Sequence, residues 1–283
     1  MKKSLGILLF LVSLNLQSNE VVTSFEQAEV LTEEGRLFPN TTEDMLILEN
    51  EANSLGVMIG QYDASLQINE YLSLNERKLG LDKFGSFEML GIAKKYKGVW
   101  LVNPSIKQFE QQYLISPDKK SFTVKDKHFA VDKEPYFTKT KPSWRDYLLQ
   151  EISPPTLSNA SVLPRNKQEQ VIWKKALRSG YNYGFDSQQE SALYQIAHFA
   201  DMIVGMNLYD VLKSRKIVSD FIITDDFYPI SGGGFELDIN LSNVRITVNP
   251  SLESNAWDWE EVPELRDVSD LLPMRLNKRD WSH

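Results

Sequence analysis

Apolar residues recur with a helical period in the first and third quarters of the chain, and with a period of two between and after them. Met45, Leu46, Leu48, Ala52, Leu55, Val57, Met58 and Ile59 form a broad apolar helix face behind the start signal Thr41-Thr42-Glu43-Asp44. A second helical pattern covers about 62–79 and stops at Gly80. The longest stripe begins at Ala192. Leu193, Ile196, Ala197, Ala200, Ile203, Val204, Leu208, Val211 and Leu212 fall at i, i+3, i+4 and i+7, which predicts a helix over 186–214 with one buried face. A further helix is capped by Asn166 and carries Val171, Ile172, Trp173, Ala176 and Leu177.

Between these helices the period changes. Val99–Val102 and Phe109–Ile115 predict strands. Ser121–Lys125 and His128–Val131 predict a hairpin around a two-residue turn. Ile217–Thr224 predicts a buried strand. Phe235, Leu237, Ile239 and Leu241 alternate with polar residues, Ser242-Asn243 predicts a turn, and Val244, Ile246 and Val248 return. The result is an α+β expectation: N-terminal helices, antiparallel strands, and central long helices packed on a mixed or antiparallel sheet.

Residues 1–18 add an export signal. Lys2-Lys3 is a charged start, and Leu5–Val12 is an apolar run too short to cross a bilayer. The domain plan is then a signal peptide over 1–18 and an extended arm over 19–41. A single α+β domain follows over 42–250, and an acidic tail with tryptophans over 251–283.

Composition narrows the chemistry. The formal net charge is −8, which argues against nucleic acid as a direct partner, since phosphate binding needs clustered positive charge. The sequence has no cysteine, so disulfides, thiolate zinc sites and thiol nucleophiles are excluded. Three histidines leave little for a metal site or a catalytic triad, and neither a catalytic residue, a metal nor a cofactor is implied. Ser231-Gly232-Gly233-Gly234 resembles a phosphate loop in composition only, because it lacks the lysine and precedes a strand. His198 and Asp201 have the i, i+3 spacing of two metal ligands without a third.

The remaining conspicuous residues fit a structural or interface role. Pro142–Leu148 opens a helix. Consecutive helical side chains point about 100° apart, so Trp144, Arg145 and Asp146 cannot converge on one catalytic spot. Trp144, Tyr147 and Leu148 are expected on a packing face, with Arg145 or Asp146 in an ion pair or cap. Gly180 and Gly184 lie one turn apart, as in close helix contacts or kinks. Gly205 sits within the long stripe. Trp257 and Trp259, among Asp258, Glu260 and Glu261, are expected to dock on this chain or on a partner.

Several of these motifs stand in one order. Pro142-Ser143-Trp144-Arg145-Asp146-Tyr147-Leu148 is followed by Leu163-Pro164 and by Asn166-Lys167-x-Glu169-Gln170-x-x-Trp173. Next come Gly180-Tyr181-x-x-Gly184, Gly205-Met206, Tyr209, Val218-Ser219 and Arg245-Ile246-Thr247. In this series the chain resembles the DotC family of type IVB secretion systems, also called the TraI-like conjugation proteins. The resemblance implies a non-enzymatic component of the outer-membrane core complex of a type IVB (Dot/Icm-like) secretion or conjugation apparatus. It implies DotD-like and DotH-like partners, a hetero-oligomeric ring and a periplasmic, outer-membrane-associated location. Members typically carry a lipobox cysteine, and this sequence has none, so attachment to the outer membrane is expected to be indirect. The competing expectation is a periplasmic peptidoglycan-binding module or hydrolase.

Overall fold

Asn166 starts the longest element. Its Oδ1 accepts from the backbone N–H groups of Gln168 and Glu169, both at 3.0 Å. The Glu169 carboxylate reaches back to the Arg165 N–H at 2.6 Å and the Asn166 amide at 3.0 Å. This reciprocal capping box satisfies donors that a helix N-terminus would otherwise leave open. In the computed structural model, which describes residues 21–22, 24–32, 42–84, 86–157, 162–255, 257 and 259–260, helix α5 then runs unbroken over Lys167–Ser214. The helix capped at Asn166 and the helix expected over 186–214 are one element. Helix α2, Thr42–Leu74, is likewise continuous where two helices were expected.

The chain divides into two compact units, residues 1–69 with 150–191 and residues 70–149 with 192–283, where one domain over 42–250 was expected. In the first unit, a short helix α1, Phe25–Glu29, begins at Ser24, whose Oγ accepts from the Gln27 N–H. The stretch 19–41 is therefore not simply an extended arm; Val21 also forms an antiparallel bridge with Thr156. Val22, Ala28, Leu48, Leu55, Ile59, Leu163, Trp173 and Leu177 make the core of this unit. The signal-peptide segment lies outside the described residues.

Among the described residues, the second unit holds the short helices α3 (Leu81–Phe84) and α4 (Arg145–Leu148) and seven strands in antiparallel pairings. Strands β1 (Ala93–Tyr96), β2 (Val99–Val102) and β5 (Tyr136–Thr138) form a sheet in the order β1-β2-β5. β3 (Ser105–Ile115) pairs with β4 (Phe122–Lys133), and β6 (Ile222–Gly233) pairs with β7 (Glu236–Val248). Two expected turns disappear. β4 runs straight through 126–127 because β3 pairs along it, and β7 runs through Ser242-Asn243 opposite Phe227 and Asp226. The turn between β6 and β7 falls instead in the glycine run, where Gly232 (φ +104°) and Gly234 (φ +72°) take left-handed conformations that favour glycine. Ile217 and Val218 are buried but precede the strand, which starts at Ile222.

Leu208, Tyr209 and Leu212 of α5 pack with Leu101, Ile106, Ile217, Val218 and Phe221 in the core of this unit. The buried face of α5 is rotated from the expected one. Ala192, Ile196, Phe199, Met202, Ile203, Met206, Tyr209 and Leu212 are buried, whereas Ala200 and Val204 are half-buried and Ala197 is exposed. Phe199 lies in that seam against the rings of Phe87 and Tyr147. α5 ends at a left-handed Lys216 (φ +58°), with the Ile217 N–H donating to the Leu212 carbonyl at 2.9 Å.

Candidate functional site

Helix α4 gathers four of the expected residues into one joint of the second unit. Asp146 closes the start of the helix: its Oδ2 accepts from the Ser143 N–H at 2.8 Å and the Ser143 hydroxyl at 3.3 Å. Trp144 is buried, and its indole Nε1–H donates to Glu76 Oε1 at 3.1 Å. Arg145 donates through Nη2 to the other oxygen of the same carboxylate at 2.8 Å, while its guanidinium lies 4.5 Å from the Trp144 ring centroid. Both donors favour the anion, the indole bond first, so the Glu76 carboxyl titrates below its ordinary range.

Tyr147 faces the opposite way. Its ring stacks on Phe87 at 5.4 Å and 12°, and lies 5.4 Å from Phe199 of α5. Its hydroxyl shares a 2.6 Å hydrogen bond with that of Tyr136 on β5, and Lys133 of β4 sits 5.8 Å from the ring centroid. Burial, then the Tyr136 bond, pushes the Tyr147 phenol well above its ordinary value. Trp144 and Arg145 thus converge on the Glu76 carboxylate, Asp146 turns back on Ser143, and Tyr147 ties the segment to β5, β4 and α5.

Trp173 and the glycines form a second joint, inside the first unit. The Trp173 indole donates to the Ala28 carbonyl at 2.9 Å, fixing α1 against α5. Gly180 and Gly184 meet Gly56 and Gly60 of α2. A Cβ added at Gly56 would run into the Leu177 carbonyl oxygen, at Gly60 into that of Tyr181, at Gly180 into that of Asn53, and at Gly184 into that of Val57. The two helix backbones are therefore in direct contact, the geometry that paired small residues four apart permit. It occurs here although no helix among the described residues is long and apolar enough to cross a membrane. Gly205 does the same in the second unit, where a Cβ would meet Ser105 Oγ and the Ile106 carbonyl.

Trp257 and Trp259 part company. Trp259 packs on the core of the second unit and donates to the Glu253 carbonyl at 3.1 Å, whereas Trp257 is 95% exposed. The other perturbed groups are held in pairs. Tyr181, pushed up to about 12 by burial and by Asp63, hydrogen-bonds that aspartate. Burial raises the Asp210 carboxyl although Asn103 donates to it at 3.2 and 3.3 Å. Tyr209 donates to Asp220 at 3.0 Å, and Lys213 bridges Asp220 at 2.6 Å. His198 stacks on Tyr194, and no group of three or more metal-ligating side chains occurs among the described residues. Sequence reasoning missed Glu76, which carries no local signal. It also missed Gly56 and Gly60, whose four-residue spacing repeats that of Gly180 and Gly184 and could have paired them.

Fold and joints together define an α+β protein of long helices and antiparallel ribbons, whose motif residues are engaged with one another. A family model described as type IV secretory system, conjugal DNA-protein transfer, matches residues 44–261. The chain belongs to that family, the TraI family of type IV secretory systems. No curated protein matches the chain.

Proposed function

We propose that the chain is a DotC-like scaffold of the outer-membrane core complex of a type IVB (Dot/Icm-like) secretion or conjugation apparatus. It acts in the periplasm, performs no catalysis itself, and is held at the outer membrane by DotD-like and DotH-like neighbours in a ring. The observation that supports this reading is the Glu76–Trp144–Arg145 joint. There the most distinctive motif of the sequence spends its polar groups within the protein: Trp144 and Arg145 on the Glu76 carboxylate and Asp146 on Ser143.

The test is isolation of the chain from cell envelopes in mild detergent, followed by identification of what accompanies it. Stoichiometric recovery of the other core proteins, with loss of transfer on deletion of the gene, is the expected result. Recovery of the chain alone, together with cleavage or binding of peptidoglycan, would overturn it.

A further inference from the structure

The two long hairpins of the second unit present apolar faces to solvent. On β3–β4, the cross-strand pairs Tyr113–Val124 and Ile115–Phe122 lie near the tip, and Ile115 and Phe122 are 69% and 66% exposed. On β6–β7 the pairs Tyr228–Leu241 and Ile230–Ile239 and the residue Leu237 do the same, with Ile230 and Ile239 each 70% exposed. Long ribbons of this kind, with free edges and contiguous apolar side chains, are aggregation hazards unless something covers them.

The charges around the two ribbons are opposite. The turn at the tip of β3–β4, residues 116–121, carries Lys119 and Lys120 beside Asp118. The tip of β6–β7 carries Glu236 and Asp238, and no lysine or arginine occurs anywhere between 218 and 244. Residues 105–133 carry six lysines against four carboxylates, and residues 222–248 carry four carboxylates against one arginine, so the two ribbons have opposite net charge and belong to one chain.

We propose that these hairpins form a self-association interface, in which the β3–β4 ribbon of one copy packs its Tyr113–Ile115–Phe122–Val124 face on the Tyr228–Ile230–Ile239–Leu241 face of a second copy. The lysines at one tip then meet Glu236 and Asp238 at the other. Unlike patches that bind each other link copies head to tail, and such a contact closes into a ring when its rotation permits. The complementary charges steer the pairing and disfavour β3–β4 against itself, where lysines would face lysines. This contact goes beyond the proposed function, because it needs no secretion partner and can be tested on the purified chain.

Sedimentation velocity of the purified full chain, over a wide concentration range and at low and high salt, reads the association. The wild-type chain is expected to self-associate, more weakly at high salt. Lys119→Glu with Lys120→Glu, or Glu236→Lys with Asp238→Lys, should each weaken association by about tenfold or more. An equimolar mixture of these two oppositely reversed variants should associate better than either alone, because both mixed contacts, reversed tip on reversed tip and native tip on native tip, pair opposite charges. Combining all four reversals in one chain should restore association. All four positions are exposed, Lys119 and Lys120 in the turn and Glu236 and Asp238 at the start of β7, and circular dichroism checks that each variant is folded. As an independent readout, a photo-crosslinker replacing Tyr113 should join to residues 227–241 of another copy. A monomeric wild-type chain, reversals without effect, failure of the fourfold variant to recover, or cross-links that map to 261–283 or to β3–β4 would each overturn the proposal.

Discussion

The indole nitrogen of Trp144 donates to the carboxylate of Glu76 across 3.1 Å, joining residues 68 apart in sequence. A buried tryptophan brings its N–H out of water and must find an acceptor, and an anion is a stronger one than a carbonyl. Arg145 then neutralises the same carboxylate from the solvent side.

The titration of Glu76 should be visible in stability. Its folded-state pKa lies below the ordinary value of 4.5, so its contribution is present above that value and is lost as pH falls through the folded pKa. In melts from neutral pH to about pH 3, Glu76→Gln should be less stable than wild type near neutrality, and the gap should narrow below pH 4.5. Parallel curves would show that the carboxylate charge does not matter at this joint.

Truncating the two donors should separate packing from charge. Trp144→Ala removes a buried ring and should cost about 3–5 kcal/mol. Arg145→Ala removes one half of a partly exposed ion pair and should cost under about 1 kcal/mol. Urea unfolding of both variants measures this, and co-purification of the core partners shows whether assembly follows the frame. A Trp144→Ala chain as stable as wild type would remove the joint from the account.

The helix crossing makes a prediction of opposite sign from helix propensity. Alanine for glycine inside a helix is ordinarily favourable by about 1 kcal/mol. At Gly180 the added methyl would meet the Asn53 backbone, which cannot move without parting α2 from α5. Gly180→Ala should therefore be destabilising, by about 1–3 kcal/mol in denaturant melts. Gly233→Ala, where the new Cβ meets nothing within 4 Å, is the control and should change stability little.

The buried seam of α5 can be checked with aspartate. Met206→Asp places an unpaired charge in the core and should prevent folding or cost more than about 4 kcal/mol. Ala197→Asp, on the exposed side, should stay within about 0.5 kcal/mol of wild type. Similar thermal shifts for the two would mean that the helix is rotated from the face described.

How much of this was legible beforehand differs from element to element. The Asn166–Glu169 cap, the helical stripe of α5 and the alternation along β7 are local patterns, and local patterns are what a sequence states directly: a side chain capping its own helix needs no distant partner. The α+β class followed from these periods, and so did the division of Pro142–Leu148 between a packing face and a cap. What tertiary structure decided was continuity and pairing. α5 stays helical through Gly180 and Gly184 because α2 fills the space that their missing side chains leave. β4 and β7 pass through residues that read as turns because a partner strand supplies backbone hydrogen bonds along their length, and strand formation depends on such neighbours more than on intrinsic preference. Glu76 carries no mark of its role, since an exposed glutamate and one that receives a buried indole are the same residue until the chain brings Trp144 to it.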